Sequence, residues 1–268
     1  MPIITLTTDW GLRDHYVASF KGELISCCND LTLVDISHEI KHFDILEASF
    51  VIRNCFEKFP KNTLHYIGVT AINSRANKNE KQNFLIVKCH DHLFTGSDSG
   101  IFSLILGDAP KEIFKLPVSP HATLAEVHDL FLLVARSFAN GESITEMGTP
   151  SEELIQSYHT RPTVEQSAIR GSIIYIDSFD NIISNVTKEL FDDVGNGRPF
   201  TIFLRKSEYD VHKIHHNYFD AEAGEIVALF NQEGFLKLSI NQGKASGLLG
   251  MKMMDTIRIE FDSPAKTG

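Results

Sequence analysis

The sequence has no long apolar run and nothing that resembles a secretory leader. Charged residues interrupt its apolar stretches well short of the roughly 20 residues that a membrane-spanning helix needs. The N-terminus carries neither a basic flank nor a small-residue cleavage site. We therefore expect a cytoplasmic protein with no membrane partner.

Basic residues are also scarce. The 268 residues include 25 lysines and arginines against 35 aspartates and glutamates, a net charge of −10, and no lysine/arginine cluster exceeds a pair. A nucleic-acid partner needs a basic surface that faces its phosphates. The composition therefore predicts no nucleic-acid partner, while the length suffices for one large domain or two moderate ones.

Neither the cysteines nor the histidines show a strong metal-binding spacing. The four cysteines lack a CxxC or Cys/His pattern and lie among apolar neighbours, which predicts reduced core residues. Three clustered histidines favour a surface loop over a metal site, because no carboxylate or cysteine supports them. No metal or redox cofactor is predicted. These residues are Cys27, Cys28, Cys55, Cys89, His212, His215 and His216.

Strand-like alternation and helical spacing follow one another along the first part of the chain. This order is typical of a mainly parallel sheet covered by helices. A turn-rich stretch at 141–162 leads into a linker at 161–163. The predicted strands are 3–7, 31–36, 63–69, 84–88 and 92–95, and the predicted helices are 15–27, 44–55 and 129–139.

After the linker the pattern changes to short strands separated by glycine and asparagine, which predicts a small all-β barrel. The sequence is thus divided into an α/β N-terminal domain with a mainly parallel sheet at 1–160 and a β-barrel C-terminal domain at 168–268. The predicted strands of the second domain are 171–176, 200–204, 226–230, 236–240 and 256–261.

The first predicted strand ends in two carboxylates around a glycine turn. Open α/β sheets bind ligands at the carboxyl ends of their strands. The carboxylate of Asp9 accepts hydrogen bonds through two oxygens, which suits a vicinal diol such as a ribose, and Gly11 allows a close turn. The alternatives are that Asp9 caps the turn and that Asp14 is the N-cap of the next helix, which is the favoured interpretation for Asp14.

A second pair of polar residues, Asp177 and Asn181, lies beside a turn between two apolar strands. An asparagine amide offers a donor and an acceptor, as the edge of an adenine ring requires, and a carboxylate suits an ammonium group. The alternative is an Asx turn that only closes the hairpin.

Several segments together resemble the S-adenosylmethionine hydroxide adenosyltransferase family, which also contains fluorinating and chlorinating enzymes. The resemblance covers most of the chain. It implies hydrolysis of S-adenosylmethionine to adenosine and methionine by attack of water at the ribose 5′ carbon, in a homotrimer whose pockets lie between subunits. The alternative is a degenerate protein that binds S-adenosylmethionine or adenosine without turnover. The segments are 4–16, 21–25, 34–40, 43–45 and 176–185.

The resemblance also implies binding roles. Asp177 would hold the methionine amino group and Asn181 the adenine, although Asp180 replaces the usual glycine between them. Phe43 stands where halogenating members carry a tryptophan against the nucleoside, and its alternative role is a hydrophobic staple at a helix start.

A further segment, 230–236, resembles the family loop that receives the methionine carboxylate and the adenine. Asn231 and Gln232 would donate hydrogen bonds there, whereas Glu233 would repel a carboxylate. Tyr218 and Phe219 are candidates for stacking on adenine, with barrel core as the alternative.

The match fails at the positions that activate the nucleophile. Thr70 replaces the family aspartate, Glu126 replaces the histidine, and Arg75 lies closer to Thr70 than the family spacing implies. A replacement set is Glu126 or His128 as base, Thr70 positioning the water and Arg75 supplying charge. In the alternative, Glu126 and His128 are solvated residues at a helix start and Thr70 ends a strand.

Overall fold

The structure is a computed structural model that describes residues 1–28, 30–69, 83–109, 111–119 and 122–262. The chain divides into two compact units, Met1–His159 and Thr160–Gly268. Within the described ranges no helix has the length and apolar character needed to cross a bilayer.

The first unit contains a seven-stranded mixed sheet with the order β2-β1-β3-β5-β4-β6-β7. The expected parallel strands are present, since β1 pairs in parallel with β2 and β3, and β3 with β5. The remaining neighbours are antiparallel, so the prediction of a mainly parallel sheet was too strong. The strands are β1 Ile3–Thr8, β2 Thr32–Ser37, β3 Leu64–Gly68, β4 Phe84–Cys89, β5 His92–Ser97, β6 Glu112–Lys115 and β7 Thr149–Ser151.

A tight hairpin causes the change of direction in this sheet. His90 and Asp91 form a two-residue connection between β4 and β5, and their φ angles are 49° and 63°. Positive φ at both central residues is the requirement of the hairpin turn that matches strand twist. The strands predicted at 84–88 and 92–95 are therefore antiparallel neighbours in the sheet. The apolar alternation of a sequence does not show in which direction two strands pair.

Helices cover both faces of this sheet. α1 and α4 pack over side chains such as Leu6 and Tyr66, whereas α2 and α3 pack over Ile67 and Val87. α4 begins before the predicted start at 129, because Thr123 and Glu126 form a capping box there. α3 was not predicted, since all its residues are buried and leave no amphipathic period. The helices are α1 Tyr16–Cys27, α2 Ile45–Arg53, α3 Ile101–Leu106 and α4 Leu124–Ala139.

The second unit is a curled antiparallel sheet with two short helices. Its strands follow the order β11-β14-β9-β10-β13-β12, and β8 pairs with β9. Alternate strand side chains form a single apolar core that includes Ile173, Leu238 and Ile259. The elements are β8 Thr163–Glu165, β9 Ala168–Ile176, β10 Ile182–Thr187, α5 Lys188–Gly195, β11 Phe200–Phe203, β12 Ile226–Phe230, β13 Phe235–Ile240, α6 Ala245–Leu249 and β14 Thr256–Phe261.

Two buried histidines meet inside the first unit. His65 Nδ1 is 2.8 Å from Thr5 Oγ1, and His65 Nε2 is 3.2 Å from His92 Nδ1. The His65 ring also stacks on Phe94, with 4.8 Å between centroids. Burial, together with the neighbouring His92, lowers the pKa of His65 from 6.5 to about 3. His65 is therefore neutral in the folded protein above about pH 3.

This pair predicts acid-sensitive stability. Below pH 6.5 the unfolded chain binds a proton at His65, whereas the folded chain does not. The free energy of unfolding therefore decreases as the pH is lowered from 6.5 to about 3. We expect this residue to cost about 3 kcal/mol between pH 6.5 and pH 4, at about 1.4 kcal/mol per unit. Urea unfolding of the wild type, His65→Leu and the exposed control His216→Ala measures it. Equal pH slopes in wild type and His65→Leu would contradict the assignment.

Candidate functional site

Asp9 directly follows β1 and is buried, with only 8% of the residue exposed. Its Oδ2 accepts a 2.8 Å hydrogen bond from the backbone N–H of Phe43. Its carbonyl oxygen lies 2.8 Å from Nδ1 of His42, whose N–H donates there. Among the described residues no group hydrogen-bonds to the other carboxylate oxygen, Oδ1. Asp9 is therefore fixed in position and keeps acceptor capacity for a ligand hydroxyl.

The turn after Asp9 is held by the loop that follows β2. The Gly11 N–H donates to the carbonyl of His38 at 2.7 Å, and the Leu12 N–H donates to the Glu39 carboxylate at 3.1 Å. Gly11 has φ of 68°, and no atom lies within 4 Å of where a Cβ would stand. The glycine is thus required by the backbone angle rather than by close approach.

A series of polar contacts connects the buried Thr8 and His38 to the exposed Asp35 beside this turn. The Thr8 hydroxyl is 2.7 Å from Nδ1 of His38, and Nε2 of His38 is 3.2 Å from the Asp35 carboxylate, which also pairs with Lys21. Burial raises the pKa of Asp35, but hydrogen bonds from Lys21 and His38 outweigh it and leave the pKa lowered. These contacts connect the ends of β1 and β2 next to Asp9.

Two local alternatives are wrong. Phe43 is 62% exposed, so it is not a staple packed on the core. Asp14 is exposed, and the residue at the N-cap of α1 is His15, which makes no side-chain cap hydrogen bond. The first intrahelical hydrogen bond of α1 runs from the Ser19 N–H to the His15 carbonyl. The ligand-binding roles of Phe43 and Asp14 stay predictions.

Asp98 is a carboxylate at the same sheet edge that sequence reasoning missed. It follows β5, whose residue Gly96 pairs with Ile67 of β3, and β3 in turn pairs with β1. It is 3% exposed, and burial raises its pKa although the amides of Ile155 and Gly100 donate to it. The signal that identified Asp9, a carboxylate just after an apolar strand, also applied here.

The predicted catalytic residues are only partly placed. Thr70 and Arg75 lie outside the described residues. Glu126 accepts hydrogen bonds from the Thr123 N–H at 2.7 Å and hydroxyl at 2.9 Å, and these bonds lower its pKa. His128 Nε2 pairs with Glu23 at 2.8 Å. Glu126 and His128 therefore already hold a helix start and an interhelical contact, as in the structural alternative.

In the second unit, Asp177 forms the predicted Asx turn. Its Oδ1 accepts the backbone N–H groups of Phe179 at 2.9 Å and Asn181 at 3.0 Å. Its Oδ2 accepts the Asn181 amide at 2.8 Å and the Lys237 ammonium at 3.2 Å. Asp180 has φ of 65°, the positive angle that the family glycine would adopt freely.

A cleft of about 630 Å³ opens beside this turn. Tyr218, one of the two stacking candidates, lines it, whereas Phe219 is 93% exposed and does not. Asn231 is not part of its lining, since its Oδ1 accepts the Phe235 N–H and closes the β12–β13 turn. Gln232 is also outside the lining. The side chains that line the cleft include Phe179, Asn181, Tyr218, Lys237, Asn241 and Lys244.

The clustered histidines make separate contacts. His212 Nδ1 is 3.1 Å from the Thr201 hydroxyl, and His215 Nδ1 accepts from the Ala228 N–H. Over the described ranges no group of three or more histidine, cysteine or acidic side chains is arranged to hold a metal ion.

Two protein-family models match this chain. The N-terminal domain of SAM hydroxide adenosyltransferases matches residues 4–148, and the C-terminal domain of the same family matches residues 171–258. The chain belongs to the SAM hydroxide adenosyltransferase family. The two matches cover the two units described above, so the resemblance predicted from short motifs is confirmed across the chain.

Relatives of this SAM hydroxide adenosyltransferase family member include named enzymes. The (R)-S-adenosyl-L-methionine hydrolase of Methanocaldococcus jannaschii is 28% identical over 97% of both chains. A fluorinase of Nocardia brasiliensis is 38% identical over 63 residues, 24% of this chain and 21% of that one. The crystal structure of an uncharacterized conserved protein from Thermotoga maritima has a TM-score of 0.81 at 22% identity, covering 97% and 99% of the chains. The last likeness shows the shared fold.

The backbone angle of Phe43 lowers stability, whereas its side chain is predicted to contact the nucleoside, so replacing it should affect stability and binding in opposite directions. Its φ is 64°, which costs a bulky residue about 1 kcal/mol. We expect Phe43→Gly to raise the free energy of unfolding by about that amount, and to weaken adenosine binding about tenfold if the ring stacks on the nucleoside. Chemical denaturation and calorimetry measure the two effects.

Met254→Gly is the matched control, because Met254 is also a large exposed residue with φ of 68° but lies in the second unit. It should gain similar stability without changing adenosine binding. Unchanged binding in Phe43→Gly would remove Phe43 from the site.

Proposed function

We propose that this protein hydrolyses S-adenosylmethionine to adenosine and methionine, with water attacking the ribose 5′ carbon and Asp9 holding the ribose hydroxyls. The geometry of Asp9 carries the proposal. One carboxylate oxygen is fixed by the Phe43 amide, while the other has no hydrogen-bonding partner among the described residues. The hydrolase relative from Methanocaldococcus jannaschii, which aligns over 97% of both chains, supports the same activity.

The proposed reaction places its main demand on positioning. The leaving group is a neutral thioether expelled from a sulfonium, so it needs neither a general acid nor a cofactor. Catalysis depends on an in-line, desolvated water and on a ribose held still. A buried Asp9 meets the second requirement, because its carboxylate accepts the Phe43 amide and its carbonyl accepts the His42 ring N–H, so its orientation does not have to be reorganised during the reaction.

For the attacking water, we propose Thr70 and Arg75 from the sequence. Glu126 is engaged in its capping box and His128 in its pair with Glu23, so neither needs a catalytic role to explain its position. Arg75→Ala in the turnover assay below should lower the rate without changing adenosine binding. Equal turnover in Arg75→Ala and wild type would contradict this role.

Binding without turnover is the second candidate. It is favoured by the threonine at position 70, where the resemblance implies an aspartate, and by the engaged state of Glu126. It predicts adenosine or S-adenosylmethionine binding that depends on Asp9 but yields no product. The two candidates therefore differ in one measurement, the formation of adenosine.

Incubation of the purified protein with S-adenosylmethionine in ¹⁸O-water should give adenosine labelled in its 5′ hydroxyl. Asp9→Asn removes the charge but keeps the side-chain shape, and we expect it to lower kcat/KM by about 10- to 100-fold, as the loss of a charged hydrogen-bond acceptor does. Chromatography and mass spectrometry measure both results.

The control for this experiment is Asp193→Asn, an exposed aspartate of α5, which should leave turnover unchanged. Absence of adenosine above a buffer blank would reject hydrolysis, and adenosine without the label would reject attack by water at the 5′ carbon.

We also propose that the protein is a homotrimer, as the resemblance implies. Large apolar side chains on the two loops around Asp9 support an assembly that covers them, because Leu12, Phe43 and nearby Tyr16 and Leu46 are exposed. Multi-angle light scattering should give about three times the 30.1 kDa chain mass. A monomer at assay concentration would contradict the proposal.

A further inference from the structure

Two neighbouring thiols meet at the end of α1. The Sγ atoms of Cys27 and Cys28 lie 3.4 Å apart. Cys28 is buried, whereas Cys27 is exposed, so the prediction of core cysteines is wrong for Cys27. Cys55 and Cys89 are free as well, and no contact joins either of them to another sulfur in the part of the chain that the structure describes. The pair is therefore a dithiol that reagents in solution reach through Cys27.

The local environment keeps this dithiol protonated. Burial raises the pKa of the Cys28 thiol to about 12, and the contact with Cys27 acts in the same direction, while the charge of Arg136 opposes the shift. The Cys27 thiol also donates to the carbonyl of Leu24 at 3.5 Å. The pair lies at the C-terminus of a helix, where the backbone dipole disfavours an anion, and the last turn of α1 carries no basic residue. Chemistry that needs a thiolate, such as attack on a peroxide, is therefore slow at this site.

The separation of the two sulfurs favours a bridging atom over a disulfide. Neighbouring Cα atoms are about 3.8 Å apart across the trans peptide between Cys27 and Cys28, whereas disulfides usually have Cα atoms about 4.4 to 6.8 Å apart. A direct S–S bond would also need the sulfurs to approach by roughly 1.4 Å. An atom that bonds both sulfurs at about 2.3 Å, as zinc does, spans 3.4 Å when its two bonds stand close to a right angle.

We propose that Cys27 and Cys28 form a binding site for trivalent arsenic compounds of the arsonous acid class. Soft sulfur ligands select soft centres. Trivalent arsenic is soft, and its bonds stand close to right angles, which is the geometry that the sulfur pair presents. In the reaction two S–H and two As–O bonds break, two As–S bonds form, and the protons leave with the oxygens as two molecules of water. No thiolate, oxidant or reductant is required.

The dithiol is separate from the site around Asp9. The turn after Asp9 leads into α1, whose 12 residues from Tyr16 to Cys27 span about 18 Å. The sulfur pair lies at the other end of that helix. The inference therefore does not depend on the proposed function, and its test needs no adenosyl ligand.

Phenylarsine oxide, which is hydrated to phenylarsonous acid in water, is the probe. Trypsin places Cys27 and Cys28 on one peptide, 22–41, and separates them from Cys55 and Cys89. The folded protein is incubated with the probe and an excess of the monothiol glutathione. Mass spectrometry should then find one phenylarsenic group on 22–41 in place of two thiol hydrogens. The dithiol 1,2-ethanedithiol should remove this group, because it chelates arsenic in the same way.

Cys27→Ser and Cys28→Ser should each weaken binding by about 10²- to 10⁴-fold, because the second As–S bond forms within one molecule only when both sulfurs are present. Cys55→Ser is the matched control and should bind like the wild type, since Cys55 is a half-buried thiol with no second sulfur beside it among the described residues. The probe should also raise the Tm of the wild type but not that of Cys27→Ser, because a ligand that prefers the folded state stabilises it.

Equal affinity of the wild type and Cys27→Ser for the probe, or label on the peptides of Cys55 and Cys89 instead, would overturn the site. A lowered Tm would show that the pair reacts from the unfolded chain, which would overturn the role of the folded sulfur arrangement. A disulfide within 22–41 at equilibrium with a glutathione buffer would overturn the choice of a bridging atom. Thermal melts without the probe establish that the compared variants are folded.

Discussion

The hydrogen bond between the Phe43 amide and the Asp9 carboxylate joins the two loops from which the candidate site is built. Without it, the buried carboxylate would face a desolvation cost with no compensating donor from the described residues. The residue that donates this bond, Phe43, has a positive φ of 64°. Local strain in one loop is thus linked to order in the other, a pattern typical of ligand sites.

The two units place charge differently around their polar residues. In the first, the Asp9 carboxylate accepts the backbone N–H of Phe43, and no lysine or arginine pairs with it in the described part of the chain, so its negative charge is available. In the second, Asp177 is paired with Lys237, 60 positions away in the sequence, so the two charges are matched. Asp9 therefore keeps a charged acceptor for a donor, whereas Asp177 is engaged within its own unit.

Sequence reasoning was most accurate where local chemistry decides the structure. β1 and the turn after it were predicted within one residue, because apolar alternation ends at Asp9 and Gly11 supplies the required angle. It was less accurate where contacts between distant segments of the sequence decide the structure. Alternation does not distinguish β4 beside β5 as antiparallel, and a fully buried α3 has no amphipathic signal. Lys237 was missed because its partner Asp177 is distant in sequence.

The direction change in the first sheet has a practical consequence. β5 ends at Ser97 on the edge that carries Asp9, so the His90–Asp91 hairpin before it lies at the opposite edge. A fluorophore or an affinity tag inserted at that hairpin would be separated from the site by the full length of the strands, about 17 to 20 Å for strands of this size. The protein thus has an attachment point for surface immobilisation at the ends of the strands opposite Asp9.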